Sequence, residues 1–140
     1  MAQVDRVFLD ANILFTAAYN PEGLAASLIS HSSHLHIKIM TSRYALDEAL
    51  YNLQLKNPEA VPRLEKILKK IQVVDVPVNI TSNPLDLPAD DIPIFQAALE
   101  TQSSHLLTGD KKAFGVWMNQ PHLTSGLIIQ TVRQFVDSRE

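Results

Sequence analysis

Val4-Asp-Arg-Val-Phe-Leu-Asp-Ala-Asn-Ile-Leu14 decides the fold. Val4 to Leu9 is a short apolar run containing β-branched and aromatic residues, and it predicts a strand. At Asp10 the pattern changes, and Asn12-Ile-Leu14 opens a helix-like stretch through Tyr19. A strand that feeds a helix, with an acid at the junction, is the start of an α/β unit. In parallel sheets of this kind, sites form at the carboxyl ends of the strands.

Working outward, Asn20-Pro-Glu-Gly23 breaks the first helix, and Leu24, Leu28 and Ile29 then recur at helical spacing until the polar cluster at Ser30 to His34. Leu35, Ile37 and Ile39 alternate with His36, Lys38 and Met40, which is strand periodicity. Thr41 or Ser42 then caps a helix carrying Leu46, Ala49, Leu50 and Leu53 on one face, with Glu48 inside it. Asn57-Pro58 opens a further helix marked by Leu64, Ile67, Leu68 and Ile71, and Pro62 makes its first turn irregular. Val73 to Val78 predicts a strand, and a proline- and asparagine-rich loop delivers Asp90 and Asp91 to a helix continued by Ile94, Ala97 and Ala98. His105 to Thr108 predicts a short buried strand ending at Gly109-Asp110. Gly126 to Ile129 predicts a last strand, before a helix capped by Thr131. Alternating strands and helices predict a three-layer α/β/α fold with a central, mostly parallel sheet.

The chain has 140 residues and a mass of 15.6 kDa, which predicts one domain over residues 1–140. Hydrophobic residues at 46% with charged residues at 19% exclude a disordered or collagenous chain. No apolar run is long enough to span a bilayer, and Met1-Ala-Gln-Val-Asp5 is not the basic start of a signal peptide, so the expectation is a cytoplasmic protein that contacts no membrane. The absence of cysteine excludes disulfides, thiolate metal sites and cysteine nucleophiles. A net charge of −3 advertises no broad basic face, so any polyanion must be held locally.

Asp10 and Asp110 each follow a strand, while Glu48 and either Asp90 or Asp91 sit in helices that follow strand or loop exits. Singly, each has a plainer reading. Asp10 and Asp91 are suited to cap helices, Glu48 to sit on a solvated helix face and Asp110 to form a turn. Together they place acid from four segments at one sheet edge. Such a cluster repels itself and usually takes up a proton or a cation. Oxygen-only ligation favours Mg²⁺ or Mn²⁺ over Zn²⁺ and suits phosphoryl chemistry.

Phe8-Leu-Asp-Ala-Asn-Ile-Leu14, Asp91-Ile-Pro-Ile-Phe-Gln-Ala-Ala98 and Leu106-Leu-Thr-Gly-Asp-Lys111 resemble, in that order, the three best-marked blocks of PIN-domain ribonucleases. An acid-bearing helix lies between the first two, and the resemblance covers essentially the whole chain. It implies a PIN-like fold and metal-dependent endoribonuclease activity on RNA that leaves 5′-phosphate and 3′-hydroxyl ends. Asp10, Asp91 and Asp110 would hold Mg²⁺ or Mn²⁺, with Glu48 bound directly or through water. Asn12 and Thr108 would be supporting polar groups that position the first and last acids. A small member of this kind is similar to VapC toxins, which implies an antitoxin partner and a homodimer. Many family members carry a further acid shortly after the Gly-Asp block. Here Lys111, Lys112, Ala113 and Phe114 follow, which puts a second metal in doubt.

Two other readings compete. Asp10-Ala-Asn-Ile-Leu14 superficially resembles the nucleophile loop of haloacid-dehalogenase-like phosphatases, but that chemistry wants an acid where Asn12 stands. The other is a catalytically inactive PIN-like module for protein interaction, against which the retention of all four acids counts. Lys111, Lys112 and Arg43 are placed either to contact flanking phosphates or to be ordinary solvated surface. His31-Ser-Ser-His-Leu-His36 lacks regular metal-ligand spacing and reads as a loop-to-strand junction. Phe114 and Trp117 read as core residues, with a base-stacking platform as the functional alternative.

Overall fold

Val7, Phe8 and Leu9 are each completely buried, as expected for a strand covered on both faces. They belong to β1 (Asp5–Leu9) in a computed structural model that describes residues 4–77, 79 and 81–139. The chain continues through α1 (Ala11–Tyr19), α2 (Leu24–Ser30), β2 (Ile37–Ser42), α3 (Arg43–Lys56), α4 (Val61–Ile67) and β3 (Gln72–Val74). There follow α5 (Ile92–Glu100), β4 (His105–Leu107), α6 (Lys111–Phe114), β5 (Ile128–Gln130) and α7 (Val132–Asp137). The five strands form one sheet in the order β3-β2-β1-β4-β5, and every neighbouring pair is parallel. This is the three-layer α/β/α arrangement expected from the alternation. Right-handed crossovers place the helices between β1 and β3 on one face and those between β3 and β5 on the other.

Several boundaries differ from the periodicity, each for a local reason. Leu35 and His36 stay outside β2 because a turn holds them. The Leu35 amide donates to the His31 carbonyl (3.1 Å), and His36 adopts a left-handed φ of 55°. The strand instead runs on through Thr41, whose hydroxyl donates to the Leu9 carbonyl of β1 at 2.9 Å. Ser42, not Thr41, is therefore the cap of α3, accepting from the Ala45 amide at 3.1 Å. The helix expected to reach Ile71 ends as α4 at Ile67 and tightens into a 3₁₀ turn over Leu68–Lys70. Gln72 joins β3, which stops at Val74; Val78, the expected end of that strand, lies outside the described residues. Gly126 has φ of +85° and closes a turn onto Pro121, so β5 begins at Ile128 rather than Gly126. Among the described residues, no helix is long and apolar enough to cross a membrane.

Strand order fixes where a site can form. From β1 the chain moves to β2 on one side, and it later returns to place β4 on the other. The sheet therefore reverses direction between β1 and β4, and their carboxyl ends flank the crevice that such a reversal creates. Leu9 is in register with Leu107, and the Asp10 amide donates to the Leu107 carbonyl at 3.0 Å.

Candidate functional site

Asp10 leaves β1 at that crevice and is only 3% exposed. Its Oδ1 accepts from the Ala11 amide at 2.6 Å. Its Oδ2 accepts from the Thr108 hydroxyl at 2.8 Å and from Asn12 Nδ2 at 3.2 Å. The Thr108 oxygen in turn accepts from the Asp110 amide at 3.0 Å. Asn12 spans the same gap, its Oδ1 accepting from the Gly109 amide at 2.8 Å. Thr108 and Asn12 thus stitch the end of β1 to the end of β4. A carboxylate oxygen can accept at two positions, so Oδ1 of Asp10 keeps one lone pair for a ligand.

The other acids arrive from separate elements. Asp110 caps α6, with Oδ1 accepting from the Ala113 amide at 3.1 Å. Asp91 stands at the start of α5 but makes no capping bond, so the plain capping role does not account for it. Pro93 in the first turn of α5 lacks an amide hydrogen, which removes one group that a cap would satisfy. Glu48 occupies the second turn of α3, carried there because that helix starts directly at the end of β2. Among the described residues, none of Asp10, Glu48, Asp91 and Asp110 forms an ion pair with a basic side chain.

The acids feel one another. Burial pushes the Asp91 carboxyl up from 3.8 to about 7, with further repulsion from Asp110, Asp10, Glu48 and Asp90. Burial also raises Asp10, against the hydrogen bonds from Thr108, Ala11 and Asn12, and Asp110 adds repulsion. Glu48 is surface-exposed, yet partial desolvation and the charges of Asp10, Asp90 and Asp110 lift it too. The four acids therefore share one electrostatic neighbourhood. Asp90 belongs to its exposed rim, while Asp91 is the more buried of the pair.

The donor set fits a hard divalent cation in its chemistry: all oxygen, excess negative charge, and no basic side chain paired with it among the described residues. Among those residues, however, no group of three or more His, Cys, Asp or Glu side chains is already spaced to hold a metal ion. Mg²⁺ usually keeps several waters and uses one or two carboxylates together with substrate phosphate, so a closed cage is not required.

Tyr44 was missed by the sequence reading. It lies one turn before Glu48 on α3, and its phenol is raised by partial burial and by the charges of Asp90, Glu48, Asp91 and Asp10. The four-residue spacing Tyr44–Glu48 was the signal that could have found it. Arg43, Lys111 and Lys112 are all exposed. His31, His34 and His36 lie on an exposed turn, where His31 Nδ1 is 2.9 Å from the Ser27 carbonyl. Phe114 is completely buried, so it offers no face to a base and the two-ring platform does not form, while Trp117 is half-buried against the core.

Comparison with known proteins agrees with the fold. No curated protein matches the chain. Among solved structures, a chain in the crystal structure of VapBC2 from Rickettsia felis bound to a DNA fragment from their promoter is similar at TM-score 0.66 and 17% identity, covering 90% of this chain and 98% of that one. The family model of the PIN domain matches residues 6–112, a span that contains Asp10, Glu48, Asp91 and Asp110, and the chain belongs to the PIN-domain family.

Proposed function

We propose that this protein is a divalent-cation-dependent endoribonuclease acting on RNA phosphodiester bonds. The observation that carries the reading is the convergence of Asp10, Glu48, Asp91 and Asp110 from four segments on one sheet edge, without a basic partner among the described residues and with Asp91 pushed up to about 7. Asp10, Asp91 and Asp110 would hold Mg²⁺ or Mn²⁺, with Glu48 directly or through water. When bound, the cation neutralises phosphate charge and makes water a stronger nucleophile.

The remaining roles belong to the chain. Thr108 and Asn12 hold Asp10 Oδ2, and Oδ1, which accepts only from the Ala11 amide, would be the oxygen to ligate. Asp91, whose carboxyl burial and repulsion push up to about 7, would ligate in its deprotonated form, which a neighbouring positive charge favours. Burial of Asp10 keeps its carboxylate in a lower dielectric, where its pull on a cation is stronger. The phosphatase alternative is disfavoured by Asn12: its carboxamide is tied to Asp10 and the Gly109 amide and has no proton to exchange with a leaving group.

The similarity to VapBC2 supports a toxin–antitoxin setting, in which a second protein restrains the nuclease. The deciding experiment incubates mixed RNA with the protein and Mg²⁺, Mn²⁺ or chelator, beside Asp10→Asn and Asp91→Asn. Cleavage is expected only with wild type and a divalent cation. Chelator-resistant cleavage, or full cleavage by both folded variants, rejects the assignment.

A further inference from the structure

A narrow cleft opens directly off the acid cluster between α1 and α3. On α1, Asn12, Phe15, Thr16 and Tyr19 fall at helical spacing and share a face. On α3, Glu48, Asn52 and Lys56 repeat every four residues. Asn12, Phe15 and Thr16 of the first stripe and all three residues of the second line about 190 Å³, with Tyr19 beside them. Tyr19 stacks on Phe15 with ring centroids 5.5 Å apart and planes inclined by 15°. Lys56 Nζ lies 5.6 Å from the centroid of the Phe15 ring. Asn52 makes no side-chain hydrogen bond among the described residues, and Tyr19 is 53% exposed. Thr16, Tyr19 and Lys56 are exposed, Phe15 is half-buried and packs against the core, and Asn12 and Glu48 belong both to this cleft and to the acid cluster.

We infer that the cleft is a nucleobase subsite that takes one base of single-stranded RNA beside the phosphate held at the acid cluster. The volume is below the roughly 300 Å³ at which drug-sized pockets begin, so it accommodates a flat ring system rather than a peptide helix. Its parts match the parts of a nucleotide. An aromatic face stacks the base, a free carboxamide reads the base edge, and an ammonium contacts the backbone phosphate. Lys56 is no obstacle, because an exposed cation–π contact is weaker than base stacking. A base takes the ring face, and the flexible lysine turns to phosphate. The placement also offsets the net charge of −3, since recognition through stacking and one local cation requires no broad basic surface. The inference rests on the nuclease reading for its substrate class, and its test separates the two.

In the first arm, a 2′-O-methyl pentanucleotide with Mg²⁺ is titrated into ¹⁵N-labelled wild-type protein. The Asn52 side-chain amide and the backbone amides of residues 15, 16 and 19 should shift, and an abasic central nucleotide should abolish those shifts. In the second arm, cleavage of RNA carrying one abasic nucleotide beside the cut is compared in wild type, Phe15→Leu, Asn52→Ala and Lys56→Gln, with thermal unfolding as the control for folding. Wild type should lose about 10-fold in kcat/KM on the abasic substrate, mostly through KM. Phe15→Leu should show that loss on intact RNA and little further loss on abasic RNA. Asn52→Ala and Lys56→Gln, which leave the ring in place, should each raise KM. Shifts in these residues without any cleavage would keep the subsite and sink the nuclease. Cleavage in which Phe15→Leu discriminates abasic from intact RNA as wild type does would sink the subsite and keep the nuclease. Shifts confined elsewhere, or no binding, would also overturn the subsite.

Discussion

Asp10 and Asp91 are the same side chain held in opposite ways. Asp10 accepts three hydrogen bonds, whereas Asp91 makes no capping bond and mainly suffers burial and repulsion. Asp10→Asn should therefore destabilise the cation-free protein by about 1–2 kcal/mol, because the new NH₂ faces a donor in either orientation, the Ala11 amide or the Thr108 and Asn12 side chains. Asp91→Asn should stabilise it at pH 8 by about 1 kcal/mol after discounting for solvent screening. Paired denaturant titrations check both signs. The pH dependence follows from the direction of the Asp91 shift. Its folded pKa is raised, so between 3.8 and about 7 the folded chain binds more protons than the unfolded one, and stability falls as pH rises through that window. Melting temperature against pH should show this slope in wild type and a shallower one in Asp91→Asn. Thr108→Val should cost about 1–3 kcal/mol and weaken Mn²⁺ uptake measured by calorimetry, while Thr108→Ser restores the hydroxyl and most of both. At this scale the clustered acids were legible because Asp10, Asp91 and Asp110 sit where a strand or loop hands over to a helix, and Glu48 one turn into a helix that starts at a strand end. Tyr44 was not, since an aromatic on a helix has many ordinary explanations; its spacing from Glu48 is the one local signal, and the charges of Asp90, Asp91 and Asp10 from other segments strengthen it.

Helix α3 shows how an element sets a site. It starts with no intervening loop after β2, capped by the buried Ser42, and so delivers Glu48 to the sheet edge on its second turn. Ser42→Ala should cost about 1 kcal/mol in denaturant unfolding. RNA cleavage should fall by more than the change in folded fraction, because the first turn that positions Glu48 frays. The order and type of the main strands and helices could be read from periodicity, but the ends of β2, β3 and β5 could not. The Leu35-to-Met40 alternation looks like strand from its first residue, yet a turn fixed by the Leu35 and Ile37 amides claims Leu35 and His36. Thr41 looks like a cap and is instead a strand residue bonded to Leu9 of β1. A local turn decides the first case, and a hydrogen bond to a neighbouring strand decides the second; each outweighs the preference of the single residue.

At the level of the molecule, the acids meet because the parallel sheet reverses between β1 and β4, bringing Asp10 and Asp110 to the same crevice across a span of one hundred residues. If that crevice takes up a cation, Mn²⁺ at about 100 times its dissociation constant should stabilise the fold by about 2.7 kcal/mol. Thermal unfolding with Mn²⁺ and then chelator should show the melting temperature rise and return, and Asp91→Asn should blunt the response. A flat response in wild type would count against the cation site. The α/β class, the succession of its main elements and the identities of the acids were already determined by the chain's own pattern, because apolar periodicity and the residues at helix starts are local properties. Strand order, the bonding of Asp10 by Thr108 and Asn12, the raised carboxyl of Asp91 and the aromatic cleft between α1 and α3 were decided only by tertiary structure. Each depends on distances and lost water between residues far apart in sequence, and a linear pattern carries neither.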